Sequence, residues 1–133
     1  MATHSTTQRS LLPKTTYQTG LLGEYLVADL MRDRDYQVVA HRARTRWGEI
    51  DLVLRKGDLV VFAEVKVASP GRLNPEHAVG AASQHRLRRA AVAWMATNAS
   101  LQRGVVRYRF DVMIVRQDRD GTLIGIEHLR NAF

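Results

Sequence analysis

The chain has 133 residues, of which 45% are apolar and 25% charged, with a formal net charge of +7 and a pI near 10.5. That length fits one domain with a modest core, and the ordinary apolar share excludes a disordered or fibrous chain. The cysteine count is zero, which excludes a disulfide framework, a thiolate metal site and a Cys nucleophile. No apolar run approaches the roughly 18–20 residues that cross a bilayer, so the expectation is a cytoplasmic protein with no membrane partner, whose basic charge meets a polyanion.

Residues 1–16 are polar, rich in Ser and Thr and without periodicity, and read as a disordered N-terminal tail. Residues 17–133 then form a single domain. A helix is expected from about Thr19, as N-cap, to Arg34. Leu22, Leu26 and Leu30 form one stripe, while Asp29, Arg32 and Asp33 face solvent. Glu24 lies on neither, falling near Val27, Ala28 and Met31 at 100° per residue. On pattern alone such a carboxylate is a helix-edge residue or a dipole partner.

A short strand at Tyr36–Ala40 precedes a basic stretch with His41, Arg42, Arg44 and Arg46. The stretch Gly48–Lys66 then reads as a β-hairpin. Ile50, Leu52 and Leu54 alternate with Glu49, Asp51 and Val53. Leu59, Val61, Ala63, Val65 and Val67 alternate with Val60, Phe62, Glu64 and Lys66, so Glu64 and Lys66 share a face. With Lys56-Gly57 as a two-residue loop, Arg55 pairs with Asp58 and Asp51 with Phe62. Asp51 then sits one diagonal step from Glu64, within reach of a shared ion. The bland alternative is an ion pair of Lys66 with Glu64 or Asp51 on a wet face. Val60 and Phe62 on that face weigh against full solvation, and a half-buried charge has to be paired or to bind an ion.

Ala68-Ser69-Pro70-Gly71 breaks the strand. A second helix is expected over roughly Ala81–Asn98, its start left open because Asn74-Pro75 also suits the cap of an earlier turn, with Leu87, Ala91, Trp94, Met95 and Asn98 inward and Arg86 and Arg89 outward. Strands follow at Val105–Val115 and Leu123–Leu129, around a turn at Asp118–Gly121. Between Arg72 and Arg109 there are seven arginines and one acid, Glu76, which predicts a positive surface suited to phosphates. The histidines show no metal-ligand spacing and read as incidental, with His85 a candidate contact for phosphate or base. The fold class is α/β, a mixed central sheet flanked by helices in the order α-β-β-β-α-β.

Asp51 followed by Glu64-Val65-Lys66 resembles the D…(D/E)xK signature of the restriction-endonuclease-like nucleases. The longer string GEIDLV…VVFAEVK is similar to the YraN-type (UPF0102) family of that superfamily, whose fold is similar to Holliday-junction resolvases. Gly20-x-x-Gly23-Glu24, Gln84-His85-Arg86-Leu87, Arg109-Phe110-Asp111 and the terminal Asn131-Ala132-Phe133 extend the likeness. The family pattern has Thr-Arg where this chain has Val67-Ala68, a lysine at Ser83 and an asparagine at Arg42. The resemblance implies a restriction-endonuclease-like fold and a metal-dependent DNA endonuclease. In it Asp51 and Glu64, with Glu24, hold the metal, and Lys66 completes the catalytic set. An all-oxygen donor set suits Mg²⁺ or Mn²⁺. The expected DNA contacts are Arg44, Arg46, Arg72, Gln84, His85, Arg86 and Arg89. A nucleic-acid-binding module that keeps the fold without cutting is the alternative, and a homodimer bringing two sites together stays open. A peripheral membrane protein fits poorly, because no long basic amphipathic helix with large exposed apolar residues is evident.

Overall fold

In a computed structural model, residues 15–69 and 71–133 are described; most of the expected N-terminal tail lies outside them. The element order is α1 (Thr16–Asp33), β1 (Gln37–Thr45), β2 (Gly48–Lys56), β3 (Leu59–Ala68), α2 (Ala81–Thr97), β4 (Arg107–Gln117) and β5 (Leu123–Leu129), with short 3-10 turns at Pro75–His77 and Ala99–Gln102. The five strands form one sheet in chain order. Among the described strands only β3 and β4 pair in parallel, and α2 with its flanking turns makes the crossover that a parallel pair needs. This is the mixed, helix-flanked α/β sheet expected, compatible with a restriction-endonuclease-like fold. No helix of the described residues is long and apolar enough to cross a membrane.

α1 starts earlier than Thr19. Thr15 accepts a hydrogen bond from the Gln18 N–H, and the Gln18 side chain returns one from the Thr15 N–H, closing a capping box. The buried face of α1 is also not the leucine stripe: it is Gly23, Glu24, Val27, Ala28 and Met31, with Leu26 exposed. Gly23 explains the difference. A Cβ there would stand 2.8 Å from Val67 Cγ2, so the helix rests on the sheet where it carries no side chain.

α1 covers one sheet face, burying Leu52, Leu54, Val61, Ala63, Met113 and Val115. α2 covers the other, over Ala43, Ile50, Val53, Val60 and Phe62 near its middle and C-terminal half. Its first turns meet Val112, Ile114 and Ala68. The expected alternation along β3 is therefore seen, with Val65 and Val67 on the α1 side and Phe62 on the α2 side. On β2 it breaks. Ile50 and Val53 face α2 while Leu52 and Leu54 face α1, so the pleat is interrupted at Asp51.

The hairpin turn is Gly57-Asp58, not Lys56-Gly57, and it pairs Lys56 with Leu59 and Arg55 with Val60. The register thus moves by two from the expected Arg55–Asp58 and Asp51–Phe62 pairs. Faces are unchanged by a two-residue shift. β1 is longer than expected, running on past Ala40 to Thr45.

Candidate active site

The site forms where the sheet forks. The β2–β3 ladder runs from Lys56–Leu59 to Leu52–Ala63. Beyond that point β2 continues against β1 as far as Gly48, while β3 continues against β4 as far as Ala68. The Val65 N–H, on the β3 arm of the fork, donates instead to Asp51 Oδ2 at 2.8 Å. That bond anchors Asp51 at the break in the β2 pleat.

Asp51 is pushed up to about 7. Burial is the largest cause, followed by repulsion from the Glu64 carboxylate and, more weakly, from Glu24; the Val65 N–H acts the other way. The Asp51 and Glu64 carboxyls are close enough to share a hydrogen bond. Lys66 Nζ lies 3.2 Å from Glu64 Oε2, on the face the alternation assigned to both. Its single ammonium sits beside two acids that repel each other, so the pair is under-compensated. Such a pair binds a proton or a cation.

Glu24 is near but differently engaged. It is buried, and its oxygens accept bonds from Arg42 Nε at 2.9 Å and Arg42 Nη2 at 3.0 Å, with His41 Nε2 3.0 Å from Oε1. Tyr17 lies under the Arg42 guanidinium and Tyr25 meets the His41 ring edge-on. Arg42 holds φ at 52°, a region that asparagine enters far more readily than arginine. The family pattern that this chain resembles has an asparagine at this position. Among the described residues no three His, Asp or Glu groups are arranged to hold an ion. The fork therefore brings Asp51, Glu64 and Lys66 together, and Glu24 faces them from behind, clamped by Arg42. Sequence reasoning missed Arg42 and His41 as Glu24 partners; a β1 extended past Ala40 would have put them opposite α1.

The expected nucleic-acid residues divide. Arg46 and Arg89 both place a guanidinium over the Trp47 ring, at 5.4 and 4.8 Å from its centroid. Arg89 Nε also bonds His85 Nε2. Arg44 is exposed and pairs with Glu49, and Arg72 is exposed in its loop. Arg86 turns inward instead, donating to the Trp47 and Glu49 carbonyls and so tying α2 to the β1–β2 turn. Gln84 donates to the Val79 carbonyl behind the helix start. Arg86 and Gln84 are thus held by the backbone rather than presented to solvent.

His128 is likewise not incidental. With Arg109 and the Asn131 N–H it surrounds Asp111, which is fully buried. Burial alone would raise Asp111, but the hydrogen bonds from His128, Arg109 and Asn131 hold it below its ordinary value. Arg109 also reaches the Tyr36 hydroxyl, so this cluster closes the sheet under the C-terminal end of α1.

Comparison with known proteins now places the chain. The sequence profile of the family described as "Uncharacterised protein family UPF0102" matches residues 23–115. The chain belongs to the UPF0102 family. A UPF0102 protein of Rhizobium etli (strain CIAT 652) is 40% identical over 111 residues, covering 84% of this chain and 88% of the relative. One of Mesorhizobium japonicum is 39% identical over 117 residues, or 88% of this chain and 87% of its own. A more distant UPF0102 protein of Synechococcus is 36% identical over 120 residues, 86% and 89% of the two chains. The UPF0102 match spans the hairpin, Glu24 and Arg42 together.

Proposed function

We propose that this UPF0102 protein is a cytoplasmic, Mg²⁺- or Mn²⁺-dependent endonuclease that hydrolyses phosphodiester bonds in DNA. The observation that carries the reading is the forked hairpin, where Asp51 and Glu64 are forced together and Asp51 is lifted to about 7. Two carboxylates that cannot both ionise at ease, with no thiolate or paired imidazole beside them among the described residues, fit a hard divalent cation. Asp51 and Glu64 would hold it. When bound, the ion supplies Lewis acidity toward the scissile phosphate and a lowered pKa for the attacking water.

The chain's own groups do the rest. The Val65 N–H fixes the orientation of Asp51. Lys66, two residues from Glu64 on the same face, orients the water and offsets negative charge as the P–O bond to the leaving alcohol breaks. Glu24 adds negative potential behind Asp51, while Arg42 and His41 keep that charge from destabilising the fold. Arg46, Arg72 and Arg89 supply phosphate contacts. A binding module that does not cut is the second reading, favoured by the commitment of Glu24 to Arg42.

Lys66 separates the two. Lys66→Ala and Lys66→Arg should both abolish Mn²⁺-dependent cleavage with little change in DNA affinity, because a transition-state contact costs rate rather than binding. Guanidinium is planar and larger, so it does not substitute for a positioned ammonium. Cleavage that survives both changes refutes the role given to Lys66.

A further inference from the structure

Along the outer face of α2, Arg88, Val92 and Ala96 form an exposed ridge at one-turn spacing, with Val92 73% exposed. A groove of about 550 Å³ lies on one side, against Trp47, His85 and Arg89. A second of about 590 Å³ lies on the other, against Phe62, Tyr108 and Phe110. Neither is lined by a carboxylate among the described residues.

Both grooves present flat faces. On the first side the Trp47 indole carries the guanidiniums of Arg46 and Arg89. On the second, Tyr108 is 51% exposed and stacks nearly parallel to Phe62, 12° between planes at 6.3 Å. The stack continues through Phe110 to Phe133, with the Arg88 guanidinium over both of those rings. Arg46, Arg88 and Arg89 form no ion pair with a carboxylate among the described residues. Aromatic faces rimmed by uncompensated arginines match one chemistry well: unpaired bases on a phosphate backbone, which stack on rings and guanidinium planes while the cations take the phosphates. A duplex cannot use these faces, because its bases are already stacked on each other. The second stack grows from Phe62, two residues before Glu64 on the same face of β3, or about 7 Å along the strand.

We propose that the outer face of α2 holds single-stranded nucleic acid, its bases stacked on Tyr108 and on the guanidinium planes that Trp47 carries, and its phosphates on Arg46, Arg88 and Arg89. The substrate is then one with an unpaired segment next to the cleaved bond. This rests on the nuclease reading for its partner class, but its test does not need cleavage.

In EDTA, at one fixed ionic strength, a short oligothymidylate and a blunt duplex of equal length are titrated by anisotropy and by indole emission. The expected result is single-strand binding about tenfold tighter than duplex, with partial quenching. The quenching comes from Trp47 and is lost in Trp47→Phe, whereas buried Trp94 supplies the residual emission. Trp47→Ala and Tyr108→Ala should each lower single-strand affinity about tenfold, the size of one lost stacking contact. Duplex affinity should barely move, and Trp47→Phe should recover most of the loss. Arg119→Ala, in the far β4–β5 turn, controls for charge alone. Equal or tighter duplex binding, or single-strand affinity indifferent to both aromatic changes, overturns the proposal. So does a dimer that Val92→Asp dissociates, which would assign the grooves to a second copy. Lost strand preference with cleavage intact sinks this inference alone. Intact stacking without any cleavage sinks the nuclease reading alone.

Discussion

Replacing Asp51 with Asn removes one of two carboxylates that the fold presses together, and its consequence for stability follows from the acidity of that group. Burial and the neighbouring Glu64 charge raise Asp51 from 3.8 to about 7 in the folded protein. Between about pH 4 and about pH 7 the unfolded chain ionises this group while the folded protein keeps it protonated. Stability contributed by the protonated form is thus complete below about pH 4, declines through that window, and levels off above about pH 7. At about 1.4 kcal/mol per pH unit, the ceiling on the loss is ~4 kcal/mol. Water reaching the fork and the ammonium of Lys66 screen part of it, leaving an expected ~2 kcal/mol. Asparagine keeps an acceptor for the Val65 N–H and escapes the repulsion. Urea denaturation in EDTA should therefore find Asp51→Asn about 2 kcal/mol more stable than wild type near pH 8, with the gap under ~1 kcal/mol near pH 4.5. Mn²⁺ should raise the wild-type midpoint and leave the variant unmoved. A variant no more stable than wild type near pH 8, or a gap that ignores pH, refutes the crowded-carboxylate account.

Arg42→Ala takes the bidentate guanidinium from buried Glu24 and leaves His41 as its remaining partner, and should lower stability on the order of 3 kcal/mol by denaturant titration. Arg42→Asn should lose less, since asparagine accepts the φ of 52° at little cost. Arg109→Leu, which strips Asp111 of its guanidinium, should likewise destabilise by roughly 3 kcal/mol. The lowered pKa of Asp111 contributes stability present above the ordinary carboxylate range and lost as pH falls through its folded value. Asp111→Asn should accordingly flatten the acid limb of a circular-dichroism pH titration, and an unchanged limb would remove Asp111 from the account.

What the sequence made legible is what period-two and period-3.6 patterns encode. The β3 alternation placed Glu64 and Lys66 on one face, and the inward apolar residues of α2 carried it to within a residue of its observed end, while its start, open between Asn74-Pro75 and Ala81, falls at Ala81. The hairpin turn was misplaced because Lys56-Gly57 and Gly57-Asp58 are both acceptable loops. They differ by a two-residue register shift, which leaves every side chain on its original face. The α1 face was misread because close helix–sheet contact is made by Gly23, which carries no hydrophobic signal, while Leu22, Leu26 and Leu30 border the interface. β1 was cut short because His41, Arg42 and Arg44 lack apolar alternation on an edge strand whose inward partner is a carboxylate. The fork itself had no local signal. It arises where β2 follows β1 and β3 follows β4, a consequence of long-range pairing.

The central claim is that the Asp51–Glu64 fork cuts DNA, and one cleavage measurement tests it. Wild-type protein and Asp51→Asn are incubated with end-labelled single-stranded, flap, four-way-junction and plasmid DNA, in Mn²⁺ and in EDTA. The account predicts products from wild type in Mn²⁺, strongest on the substrates with unpaired segments, and none from Asp51→Asn or in EDTA. Wild-type protein that binds these substrates and leaves all of them intact in Mn²⁺, or cleavage that Asp51→Asn retains, would contradict it.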